Sequence, residues 1–192
     1  MRRWLSSLLF LLCFAAPAVA QEVPRWEASA GYTYTRANAG PGECGCFSMN
    51  GGSASVAYDW NRWVSMVADF GAQHAGNFLG SGRDLTLASY LFGPQLSYRK
   101  SGRFTPFAHV LLGGAHASGS AFSTQAAGAG VSLSESAFAL KAGGGMDVKL
   151  TEFLALRVFD VDYYLTRFPN AVNDRQNNLQ VSAGVVFRFG RH

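Results

Sequence analysis

With 192 residues, a formal charge of +4, only 15% charged side chains, 22 glycines and 14% aromatics, the chain is one domain long and too mildly basic to be read as a nucleic-acid binder. Past its N-terminal leader no stretch reaches the roughly eighteen consecutive apolar residues of a membrane helix, so a helical membrane protein is excluded.

The leader carries Arg2-Arg3, an apolar run from Leu8 to Ala16, and Ala18-Val19-Ala20 before Gln21. That is the layout of an export signal with a small-x-small cleavage site. Cleavage is expected after Ala20, leaving a signal peptide, 1–20, and one domain, 21–192. Cys13 follows Leu12 rather than a small residue, so a lipid anchor at that thiol is not expected. The leader holds two of the 16 Lys and Arg and none of the 12 acids, so its loss lowers the formal charge from +4 to +2.

The rest of the chain alternates. Trp26, Ala28, Ala30, Tyr32 and Tyr34 oppose Glu27, Ser29, Gly31, Thr33 and Thr35, a first strand. Arg36 to Asn50 has Gly, Pro and Asn and no alternation, so a long loop is expected. Between Gly52 and Ala72, Ala54, Val56, Tyr58 and Trp60, then Val64, Met66, Ala68 and Phe70, line one face of a hairpin that turns at Asn61-Arg62. Period-two alternation gives the ribbon two distinct faces, and arms of about ten residues match a tilted strand crossing a bilayer. Tyr58, Trp60 and Trp63 bracket the turn, where a membrane–water interface would hold them. A second long loop is expected at 73–83.

Tyr90, Phe92, Leu96 and Tyr98 oppose Gln95, Ser97 and Arg99 in strand four, although Leu87 and Leu91 fall on the polar face. After a short turn at 100–103, Pro106, Ala108, Val110 and Leu112 oppose Phe107, His109, Leu111 and Gly113. Pro106 cannot donate to a ladder and belongs near the start of that strand. A third long loop covers 118–133. Strand six sets Phe138, Leu140, Ala142, Met146 and Val148 against Ala139, Lys141, Gly143, Asp147 and Lys149. A turn at Thr151-Glu152 leads to strand seven, whose phase slips, so a β-bulge is predicted at Phe159-Asp160. A fourth long loop, 167–176, precedes a strand with Leu179, Val181, Ala183, Val185, Phe187 and Phe189 on one face.

Long and short connections therefore alternate through eight strands. The predicted fold is all-β: an eight-stranded antiparallel up-and-down transmembrane β-barrel, since an open sheet edge in hydrocarbon would leave backbone groups unsatisfied. A soluble barrel of lipocalin type also alternates, but with a polar outside and an apolar cavity. Here nearly every charge shares a face with the small residues, which fits a narrow polar lumen inside an apolar wall.

The leader, Phe92-Gly93-Pro94-Gln95-Leu96-Ser97-Tyr98-Arg99, Thr105-Pro106-Phe107 and the closing Val185-Val186-Phe187-Arg188-Phe189 resemble the small outer-membrane β-barrels of the OmpA-like transmembrane type. The resemblance spans residues 21–192 and implies a bacterial outer-membrane location, surrounding lipid, and recognition of the last strand by the barrel-assembly machinery. Gly190-Arg191-His192 follow the terminal aromatic Phe189, where such barrels usually end on the aromatic itself.

On the lumen face Glu27, Asp59, Asp69, Asp147, Asp160 and Asp162 meet Arg99, Lys141, Arg157 and Arg188, with Lys149 and His109 added. Enclosed charges must pair, so an ion-pair network centred on Lys141, Asp147, Arg157 and Asp162 is expected. It would be a structural plug or, in the sharper alternative, the gate of a narrow passive pore. Cys44-Gly45-Cys46 in the first long loop is a disulfide candidate; with His74 it lacks a second pair of metal ligands, and no metal or cofactor is expected. Gly143-Gly144-Gly145 sits mid-strand with no helix after it, so it relieves crowding rather than binding phosphate. His116-Ala117-Ser118 resembles the His-x-Ser of lipid A deacylases of the PagL type, but Gly119 stands where that motif has Asn, and the nearest downstream acid, Glu135, is farther away. The expected function is non-enzymatic: a structural or interaction role in the envelope, with any surface ligand met through the long loops.

Overall fold

The computed structural model describes residues 24–38, 46–76, 84–100, 102–119, 134–168 and 175–191. The signal peptide expected at 1–20 lies outside them. Eight strands, β1 (Pro24–Asn38), β2 (Cys46–Asp59), β3 (Val64–Ala75), β4 (Leu85–Ser97), β5 (Phe104–Ser118), β6 (Ser134–Lys149), β7 (Leu154–Thr166) and β8 (Gln176–Arg191), follow one another around a closed barrel. Every neighbouring pair is antiparallel, and β1 closes on β8 from Pro24↔Arg191 to Arg36↔Leu179. Closure removes both sheet edges, so no ladder is left open.

The expected loops are shorter than the lack of alternation suggested. Arg36–Asn38 still pair with Cys46–Ser48, and Gln73–Ala75 pair with Leu85–Leu87. Backbone pairing continues past the point where one face must be apolar, and there side-chain pattern no longer reports it. The short β2–β3 turn is closed by Asn61, whose Oδ1 accepts from the backbone N–H of Trp63 at 2.8 Å and of Val64 at 2.9 Å, the local side-chain turn that Asn favours.

Outward faces carry the large apolar residues, among them Tyr32, Phe70, Phe92, Leu96, Leu112, Leu179 and Phe187, all exposed. Inward faces bury Glu27, Thr33, Asp59, Gln95, Lys141, Asp147, Asp162 and Arg188. This inverts the usual distribution of a water-soluble fold. Rings gather at two levels. Trp26 stacks edge-on to Tyr58 at 5.0 Å and Trp63 lies 5.2 Å from Tyr98 at the short-turn end. Tyr32, Tyr34 and Tyr163 donate to or share hydrogen bonds with Asn50, Ser48 and Asn177 at the other end. Along β1 the step from Trp26 to Tyr34 is about 26 Å at about 3.3 Å per residue. At a tilt near 40° that is roughly 20 Å of height, close to the apolar band of a membrane barrel.

The bulge lies one residue earlier than predicted. Met146 pairs with Phe159 but Asp147 with Arg157, and on the other side Arg157 pairs with Gly184 but Asp160 with Ser182. Val158 and Phe159 both face outward and are exposed. Two consecutive apolar residues can share the outer face, whereas Asp160 cannot join them, so the extra residue is Val158-Phe159 and not Phe159-Asp160.

Inside, glycines permit close approach. Gly31 and Gly184 face each other across β1–β8, where a Cβ on either would strike the carbonyl oxygen of Ala183 or Ala30. The lumen also holds one apolar cluster, including Leu85, Leu87, Leu91, Leu111, Ala115, Ala139 and Tyr164. Most of its members lie in the strand halves next to the long connections, with Ala57 and Val67 reaching toward the short turns. Leu87 and Leu91, which break the alternation of β4, are therefore core residues of the lumen.

Candidate functional site in the barrel lumen

Period-two alternation aims every ionised side chain of the inner face at one narrow space, and there the charges are joined. Arg99 holds Asp59 through both carboxylate oxygens, at 3.0 and 3.1 Å, and Glu27 at 3.2 Å. Ser65 donates a short hydrogen bond to the same Asp59. Arg188 Nε reaches Glu27 at 2.7 Å, and its Nη2 lies 3.8 Å from Asp147. Arg157 grips Asp147 with a two-point fork, 2.9 and 3.2 Å, and stands 3.6 Å from Asp160. Seven side chains from β1, β2, β6, β7, β8 and the β4 end thus form one chain of ion pairs. The guanidinium of Arg157 also covers the Phe107 ring at 4.2 Å, a geometry open to Arg because its planar group is weakly hydrated.

Two further pairs stand apart from that chain. Lys141 Nζ is 2.7 Å from Asp69 Oδ1, and His109 Nε2 is 2.8 Å from Asp162 Oδ1. The four residues expected at the centre are therefore divided: Asp147 and Arg157 meet each other, while Lys141 and Asp162 take other partners. The register of His109 on β5 is the sequence signal for its place in the lumen, and its partner there is Asp162. Phe107, Leu111 and Tyr164 carried no sequence mark of a lumen role beyond the same alternation.

The remaining candidates are less gathered. Cys46 opens β2 and is exposed, while Cys44 lies outside the described residues, and with it the expected disulfide. His74 Nδ1 sits 3.1 Å from Thr86 Oγ1 on the outer face. His116 and Ser118 occupy the outward phase of β5, but His116 Nδ1 is 2.9 Å from Ser136 Oγ of β6. Glu135 pairs with Ala117 in the inward phase, so it is on the wrong side of the wall to orient that imidazole.

A closed antiparallel cylinder, apolar outside and ionised within, is a membrane-spanning β-barrel. The chain belongs to the outer membrane protein beta-barrel domain family, which it matches over residues 6–187. Among solved structures it is similar to Ail, the attachment invasion locus protein of Yersinia pestis, at 20% identity with a TM-score of 0.57, covering 87% of this chain and 99% of Ail. It is also similar to Neisserial surface protein A, at 16% identity and a TM-score of 0.64, covering 85% of this chain and 97% of that one. The N-terminal β-barrel domain of Pseudomonas aeruginosa OprF matches at 15% identity and a TM-score of 0.50, covering 88% of this chain and 100% of the domain. Comparison with proteins of curated function gives no match. The protein is located in the bacterial outer membrane.

Proposed function

We propose that this protein is a non-conducting, non-enzymatic barrel that carries its long connections at the cell surface, in an envelope-stabilising or surface-binding role. The observation that carries this reading is the filling of the lumen by two kinds of side chain. Toward the short turns the space is taken by the ion-pair chain; toward the long connections it is taken by Leu91, Leu111, Ala115, Ala139 and Tyr164, each at most 1% exposed. A cavity of about 20 Å³ remains beside Asp69, Lys141, Arg157 and Asp160, room for about one water and not for a file of hydrated ions. Paired charges are also the economical way to fill a narrow, low-dielectric tube, because an isolated one costs several kcal/mol.

The partners that follow are outer-membrane lipid around the wall, the barrel-assembly machinery at the final strand, Val185–Phe189, and any surface ligand at the long connections. Planar-bilayer recording of the purified protein tests the reading: silence is expected. Steady unitary currents that Arg157→Ala abolishes or Lys141→Ala alters would replace it with a narrow passive pore. For lipid A deacylation, mass spectrometry of lipid A from cells expressing the protein or Ser118→Ala is expected to give identical acyl patterns.

A further inference from the structure

We propose that His109, Asp160 and Asp162 form a binding site for a divalent transition-metal cation of the zinc class, inside the barrel between β5 and β7. The two strands are not neighbours; β6 runs between them. His109 pairs in register with Gly143, and Gly143 with Asp162. Having no side chain on that rung, β6 forms a bare floor over which an imidazole from β5 and a carboxylate from β7 reach each other. A Cβ on Gly143 would strike an Asp162 carboxylate oxygen. One rung on, Gly145 pairs with Asp160, so the second carboxylate enters above the same glycine track. The central segment of β6 thus has a specific use: Gly143 and Gly145 let three ligands converge.

All three residues are buried, and one ligand atom from each lies within 4.8 Å of the other two. His109 Nε2 and Asp162 Oδ1, hydrogen-bonded at 2.8 Å, need to part by only about 0.6 Å to reach the roughly 3.4 Å between two donors bound at about 2.1 Å to one tetrahedral zinc ion. Asp160 must close in by a small side-chain rotation. Its Oδ1 is buried with no hydrogen-bond partner, although the residue is only 6% exposed. An orphaned carboxylate oxygen in such a place calls for a cation.

The charge balance calls for the same thing. The lumen holds the six carboxylates and four guanidinium or ammonium groups already described; Lys149 and Glu135, half-buried toward opposite mouths, offset each other. Among the described residues, and with His109 neutral as a metal ligand must be, two negative charges are left over. Arg157 forks Asp147 and stands farther off, 3.6 Å, from Asp160; Lys141 is taken by Asp69; and Asp162 meets the imidazole of His109, so Asp160 and Asp162 are the two carboxylates with the weakest compensation from guanidinium or ammonium groups. One divalent ion would neutralise both. One imidazole and two carboxylates suit zinc, cobalt, manganese or ferrous iron better than calcium or magnesium, which favour all-oxygen sites.

The test uses full-length mature protein refolded in detergent, in a Cys44→Ser, Cys46→Ser, His74→Gln background that removes donors near the first two long connections. Folding is checked by the gel shift between unheated and boiled samples. Expected are one zinc ion retained per chain after dialysis, ligand-field absorption bands when cobalt is supplied, and a higher temperature for loss of the folded band with zinc. His109→Gln and Asp160→Asn should each fold and weaken zinc binding by at least about tenfold, which even removal of an outer-shell partner can cost. If His109→Gln does not fold, Asp160→Asn decides. Absence of saturable zinc or cobalt binding by the background protein, or affinity unchanged in a folded variant, overturns the proposal.

Discussion

Asp147 is the residue on which the lumen charges turn, since it receives the fork of Arg157 and lies beside Arg188. Asp147→Ala strips both guanidinium groups of a buried carboxylate. Breaking a buried ion pair from one side costs about 3–5 kcal/mol, so its urea-unfolding midpoint in detergent should fall by that equivalent. The double variant Asp147→Leu with Arg157→Met should recover part of the loss, because it leaves fewer unpaired charges. The apolar residues buried in the lumen obey a different rule. Leu91→Ala removes side-chain volume from a tightly filled space at about 2–5 kcal/mol, also read as a lower urea midpoint. The sequence displayed the charges of this site because each sat in the right phase of its strand. It did not display who pairs with whom. That choice depends on distances across the lumen, as when Asp162 takes His109 and Lys141 takes Asp69.

At the level of the strand, legibility follows from period two. Faces were readable wherever the wall demands one greasy side: β2, β3, β6 and β8 alternate without ambiguity. Strand ends were not readable, because Arg36–Asn38 and Cys46–Ser48 go on exchanging backbone hydrogen bonds beyond the apolar band. The β7 slip was visible, since Arg157 and Asp160 both had to face inward across an interval of odd length. Its position within Val158-Phe159-Asp160 depended on which two residues stand together outside. Deleting Val158 removes the bulge but turns no side chain over: Arg157, Phe159 and Asp160 then alternate in, out, in against Met146–Asp147 on one side and Ser182–Gly184 on the other. The deletion should therefore keep the fast-migrating folded band on unheated gels. Deleting Val161 instead forces either Asp160 or Asp162 onto the lipid face, and the expected result is loss of that band.

For the molecule as a whole, the proposed non-conducting reading puts two closures in series along one tube, and this sets what opening it requires. The charged layer is held by hydrogen-bonded geometry, the apolar layer by packing, and an ion must pass both. Replacing Leu91 by Ala widens only the second; Arg157→Ala loosens only the first, and each leaves the other in place. Both single variants should remain silent in planar bilayers. Leu91→Ala combined with Arg157→Ala should give brief or steady currents, since water entering the widened apolar layer would then meet carboxylates of Asp147 and Asp160 that no longer share a guanidinium. That surplus of negative charge predicts cation preference, measured as a shift of reversal potential in a salt gradient. Currents from Leu91→Ala alone would mean that the ion pairs do not seal the tube and that packing alone keeps it shut.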